Sequence, residues 1–145
     1  MTEPAHAYET TIEPTTGTRG TITVAGRLAV PFGAPPEFGG TDDVWSPEHF
    51  CVAAVNSCVM LTFMTIAGNS KVPVRSYSAT ASGTLEKVEG RGREITRVTV
   101  KPRIVVGPEV DRAKVERLVQ IAEKNCFISN SLKAAVTVQP EIVVE

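Results

Sequence analysis

Between Phe50 and Ala67 the chain reads FCVAAVNSCVMLTFMTIA, with no charged side chain in the run. A stretch of this length and composition is either a membrane span or a helix covered on all sides. Asn56, Ser57, Thr62 and Thr65 interrupt it, and no Lys or Arg cluster anchors either end. The sequence therefore predicts a central core helix, packed on sheet on one side and on something else, a second subunit being one candidate, on the other. Local signals fix its limits. Ser46 can cap it, Pro47 suits its first turn, Glu48 favours the dipole, and Gly68 and Asn69 mark its end.

The flanking sequence predicts the remaining layers. Tyr8 to Ile12 and Thr21 to Val30 alternate as strands around the turn-rich TTGTRG, and PFGAPPEFGGTDDVW forms a loop before the helix, its Gly39-Gly40 pair allowing a tight turn. Val72 to Val88 and Glu94 to Val106 predict a long hairpin turning at EGRG. From Pro108 to Asn125, Val115, Leu118, Val119 and Ala122 recur at helical spacing. AAVTVQPEIVVE closes the chain as a strand, with Pro140 at an edge or bulge. The expectation is one α+β domain over residues 1–145 in the order β-β-α-β-β-α-β.

A net charge of −1 gives no general attraction to nucleic acid or anionic lipid. The basic residues from Lys87 to Arg103 alternate with Glu86, Glu89 and Glu94, as on a solvated hairpin, so neither nucleic acid nor membrane is expected as a partner. Three cysteines are too few for a secreted disulfide scaffold, and MTEPAHAYET has no signal-peptide pattern, so the expected compartment is the cytoplasm. A disulfide there is more often transient and catalytic than structural. No metal is expected: His49 and Cys51 face different sides of a helix, and His6 is the only other histidine.

Cys51 and Cys58 share a helix face, but two turns, about 10 Å of rise, separate them. A disulfide needs Cα atoms within about 7 Å. That leaves Cys126, in KNCFISNSLK, as the only intrachain partner for either.

These residues carry a resemblance. SPEHFCVAAVNSC resembles the helix start of the osmotically inducible protein C and organic hydroperoxide resistance (OsmC/Ohr) superfamily, where a Pro-Glu pair precedes a reactive cysteine. KNCFISNSLK is similar to its second cysteine motif, and the element order agrees over nearly the whole chain. The resemblance implies an OsmC-like fold in an intertwined homodimer, and a thiol peroxidase that reduces organic hydroperoxides. Cys58 would be the peroxidatic and Cys126 the resolving thiol, with no cofactor and an external dithiol, for example of lipoyl type, as reductant. Phe127, where the hydroperoxide-resistance branch commonly has proline, is closer to the osmotically inducible or uncharacterised branches.

Burial among Val55, Val59, Leu61 and Phe63 alone would raise the Cys58 pKa, so a nearby cation is expected. By resemblance that cation is Arg19 in TGTRG, with Arg27 as the second choice, and Glu48 is the glutamate that holds it. Glu48 lies about 15 Å of helical rise from its own Cys58, so it would act from a second subunit. Phe38, Trp45 and Phe127 are candidates for an apolar entrance that selects bulky peroxides. Two other readings of the same residues are a non-catalytic binding or structural protein and a general thiol-disulfide exchanger.

Overall fold

The structure, a computed structural model, describes residues 3–145. Its contacts group the chain into two compact units that meet in sequence between Phe50 and Cys51.

The N-terminal unit is an antiparallel meander of β1 (Thr11–Pro14), β2 (Arg19–Thr23) and β3 (Val30–Gly33). The expected strand from Thr21 to Val30 is in fact two strands, because Gly26, at φ 75°, turns the chain between them. The proline-rich loop then forms a single 3-10 turn at Pro36–Phe38. Gly39 lies in the left-handed region, and a Cβ on Gly40 would overlap the Ala34 carbonyl, so the tight turn does need both glycines. Ser46 is buried and caps the next helix as expected: the His49 N–H donates to Ser46 Oγ at 3.3 Å, and the Ser46 N–H donates back to His49 Nδ1 at 3.0 Å.

That helix, α1 (Pro47–Asn69), runs unbroken into the C-terminal unit. Its end departs from expectation. The Val72 N–H bonds the Ala67 carbonyl and the Lys71 N–H bonds that of Gly68, and the left-handed residue between them is Lys71, at φ 56°.

In the C-terminal unit, β4 (Val74–Val88) and β5 (Gly92–Val106) form the expected hairpin, turning through Gly90. On the other edge of β5 lie β6 (Ala135–Val138) and β7 (Glu141–Val144), end to end and both parallel to it. The closing strand is thus split at Pro140, which has no N–H to offer the ladder. Helix α2 (Arg112–Asn125) starts four residues later than expected, where Asp111 accepts the Ala113 N–H at 3.1 Å. A short helix, α3 (Phe127–Ser131), was not expected.

Two apolar clusters hold this unit together. Phe63 and Ala67 of α1 pack with Ile104, Val106 and the inner face of α2, while Val55 and Val59 pack with Val98, Val100 and Cys126. α1 therefore buries only every fourth residue, and Met60, Leu61 and Met64 stay 36%, 61% and 39% exposed. It is long and apolar enough to cross a membrane by length and composition.

Candidate active site

Cys58 lies in the middle of α1, and Cys126 lies in the one-residue junction between α2 and α3. α2 ends there because Cys126 adopts an extended backbone, from which its sulfur accepts the Ser129 N–H and caps α3. Both thiols are free, and both belong to the cluster built on Val98 and Val100, so they share one side of the sheet. Cys126 packs in the same cluster as Cys58, and each thiol acts on the other's acidity. Cys126 is completely buried, whereas Cys58 opens on a groove of about 700 Å³ floored by Leu61, Ile66, Ile121 and Ile128.

The acidities of the two sulfurs are pushed apart. Burial, the largest influence on Cys58, raises its pKa. It is outweighed by the Ile128 N–H, the Cys126 thiol, the Thr62 hydroxyl and the Phe127 N–H, so the net shift is downward. Thr62 is one helical turn from Cys58, with Oγ1 4.0 Å from the sulfur and its proton donated to the Cys58 carbonyl at 2.7 Å. Cys126 moves the other way: burial raises its pKa, the Ser129 hydroxyl and N–H oppose that, and Cys58 adds to the rise. The result is one half-buried thiol with a lowered pKa beside one buried thiol with a raised one, the order needed for a nucleophile and the thiol that later condenses with it.

The expected cation is not among the groups that set this acidity within the chain. Among the described residues, every group that lowers the Cys58 pKa is uncharged. α3 supplies two of them, and the sequence reading missed it. The one readable signal was the four-residue spacing of Cys58 and Thr62 on a helix.

The other candidates are distributed as follows. In the N-terminal unit Arg19 makes a two-pronged pair with Asp43, at 2.9 and 3.2 Å, and Asp43 also bonds Thr41. That pairing raises the Arg19 pKa and, with Thr41, holds Asp43 at about 2. Arg27 donates to the Ala25 carbonyl in its own turn. Glu48 Oε1 is buried and has no hydrogen-bond partner among the described residues. Phe127 lines the groove beside Cys58, 81% exposed. Trp45, half exposed, packs on Phe50 at 5.4 Å, and Phe38 sits at the end of the 3-10 turn. Cys51 lies half-buried on α1. Among the described residues no three His, Cys, Asp or Glu side chains converge as a metal site.

Comparison with known proteins gives this arrangement a context. The chain is 28% identical to the peroxiredoxin OsmC of Escherichia coli over 77% of its own length and 76% of that protein's. Its fold is similar to that of an OsmC-like protein of unknown function from Vibrio cholerae, with TM-score 0.87 at 23% identity over 94% of this chain and 100% of that one. It is also similar to the organic hydroperoxide resistance protein OhrB of Bacillus subtilis, with TM-score 0.69 at 23% identity over 94% and 98% of the two chains. The model of the OsmC-like protein family matches residues 40–141, a span that holds the whole of α1 with Cys58 and both helices that frame Cys126, and the chain belongs to that family.

Proposed function

We propose that the chain is a thiol-dependent peroxidase that reduces organic hydroperoxides to alcohols. One observation carries the proposal: Cys58, a thiol with a lowered pKa, faces an apolar groove and packs in one cluster with a buried second thiol, Cys126. The Cys58 thiolate attacks the terminal peroxide oxygen, the O–O bond breaks, and the alkoxide takes a proton and leaves as alcohol. Cys58 is left as a sulfenic acid. Cys126 then attacks that sulfur, water departs, and a Cys58–Cys126 disulfide forms. An external dithiol, of lipoyl or similar type, reduces it. The groove's apolar floor favours organic over hydrogen peroxide, with Phe127 at its edge. The names of the E. coli and B. subtilis relatives, a peroxiredoxin and an organic hydroperoxide resistance protein, support the same chemistry.

The working form we propose is a homodimer in which a second copy covers the exposed face of α1. In that assembly Glu48, whose buried Oε1 needs a donor, takes Arg19 from Asp43, and the pair supports the thiolate across the interface.

The test is turnover of cumene hydroperoxide by the reduced protein with a dithiol present. Wild type consumes peroxide continuously, Cys58→Ser consumes none, and Cys126→Ser reacts once and stays as the sulfenic acid. Equal steady turnover by Cys126→Ser and wild type would remove the resolving role. Persistence of peroxide with all thiols free would refute the enzyme. Equal reactivity toward small disulfides would point to a general exchanger instead.

A further inference from the structure

Joined as a disulfide, Cys58 and Cys126 would be unequal targets. A thiolate must reach the sulfur it attacks, and 0% of Cys126 is exposed while Cys58 opens on the groove. Behind Cys126, one turn into α3, stands Ser129. Its N–H donates to Cys126 Sγ at 3.5 Å, and its Oγ is buried without a hydrogen-bond partner among the described residues. A native protein seldom leaves a buried hydroxyl unused. The missing acceptor is the form of Cys126 that the resting protein lacks, a thiolate.

Building on the peroxidase cycle, we infer that reduction of the disulfide runs in one direction: the external dithiol attacks Cys58, and Cys126 departs as a thiolate held by the Ser129 hydroxyl. One reductant thiolate forms a bond to Cys58 Sγ. The Cys58–Cys126 bond breaks, and its electron pair stays on Cys126 Sγ, which accepts the Ser129 hydrogen bond and then a proton. The second reductant thiolate attacks its own sulfur in the mixed disulfide, closing the reductant's disulfide and releasing Cys58 as thiolate. The protein gains two electrons and the dithiol loses two. Ser129 is thereby a positioning residue for the leaving group. The effect of its hydroxyl and N–H on Cys126, both opposing the rise caused by burial, has the sign this role needs, since a less basic thiolate leaves faster.

The test separates this step from peroxide chemistry by making the disulfide with diamide and following its reduction by dithiothreitol. Ser129→Ala should slow reduction about tenfold, the size of one hydrogen bond to a charged sulfur, and should flatten the rate's dependence on pH where Cys126 titrates. Ser129→Thr, which keeps the hydroxyl, should restore the rate. The single reaction of reduced Cys58 with cumene hydroperoxide should be unchanged in Ser129→Ala. On the wild-type disulfide, excess glutathione followed by acid quenching and peptide mass mapping should find the mixed disulfide on Cys58. An adduct on Cys126, equal reduction rates for Ser129→Ala and wild type, or no disulfide with diamide would each overturn the inference. Correct polarity without peroxide consumption would instead sustain this step and refute the peroxidase.

Discussion

At the scale of single residues, the molecule turns on how a half-buried thiol becomes acidic when, among the described residues, the groups that lower its pKa are uncharged. Two backbone N–H groups, a hydroxyl and a second thiol together overcome the burial that pushes Cys58 up. Alkylation of Cys58 by iodoacetamide, followed against pH, should therefore show a midpoint below that of an ordinary thiol. Thr62→Val and Cys126→Ala should each raise it, because each removes a group that lowers the Cys58 pKa. The sign carries over to stability. A folded pKa below the unfolded one means that the thiolate favours the folded state above the unfolded pKa, and that this contribution is lost as pH falls through the folded value. Cys58→Ala should remove that alkaline contribution in pH-dependent unfolding. Arg19→Ala distinguishes two roles for the arginine: the Asp43 carboxyl should rise from about 2 toward its ordinary value of about 3.9, and a simultaneous rise of the Cys58 midpoint would mark support of the thiolate. The two thiols were legible in the sequence as a candidate pair. The Ile128 and Phe127 donors were not, because a five-residue helix opened by a cysteine cap is too short to show apolar periodicity.

Among the elements, α1 was the most legible, and the places where it was misread are informative. Its start followed from Ser46 and Pro47, but its end was assigned to Gly68 and Asn69, while the left-handed residue is Lys71, at φ 56° and exposed. A side chain there costs what glycine would not, so Lys71→Gly should stabilise the protein by about 0.5–1 kcal/mol, read from urea unfolding. The packing of α1 on β4 sets the opposite constraint at Gly83. A Cβ there would lie 2.6 Å from Val52 Cγ2, and Val52 is a β-branched residue held in one rotamer by its helix. Gly83→Ala should destabilise by about 1–3 kcal/mol in the same measurement. Nothing in the sequence announced that contact, because it depends on which side of a long hairpin the helix settles. The hairpin itself, the amphipathic α2 and the breaking power of Pro140 were readable from period and composition. The separate third strand was hidden because Val24 to Val30 keeps its apolar alternation through the turn at Gly26.

For the molecule as a whole, the outstanding quantity is the apolar surface that α1 leaves uncovered. A helix without a charge between Phe50 and Ala67 buries Val55, Val59, Phe63 and Ala67, and leaves Leu61 and Met64 in water. At about 25 cal/mol per Å² of apolar surface, covering such a face is a substantial driving force, and lipid or another protein surface could meet it. The Asn, Ser and Thr residues within the run and the absence of a Lys or Arg cluster at either end favour protein. A second copy is the occupant we propose, because it would also offer Glu48 a donor: α1 carries Glu48 at one end and Cys58 about 15 Å along, a separation that an antiparallel pair of α1 helices can close. Light scattering of the full chain without detergent should therefore give twice 15.5 kDa, and Met64→Glu, which places a charge on the uncovered face away from the groove, should give single chains. Peroxide turnover should fall with that dissociation if Glu48 works across the interface. A wild-type chain that is monomeric and active, or that stays in solution only with detergent, would exclude the dimer as the form that covers α1.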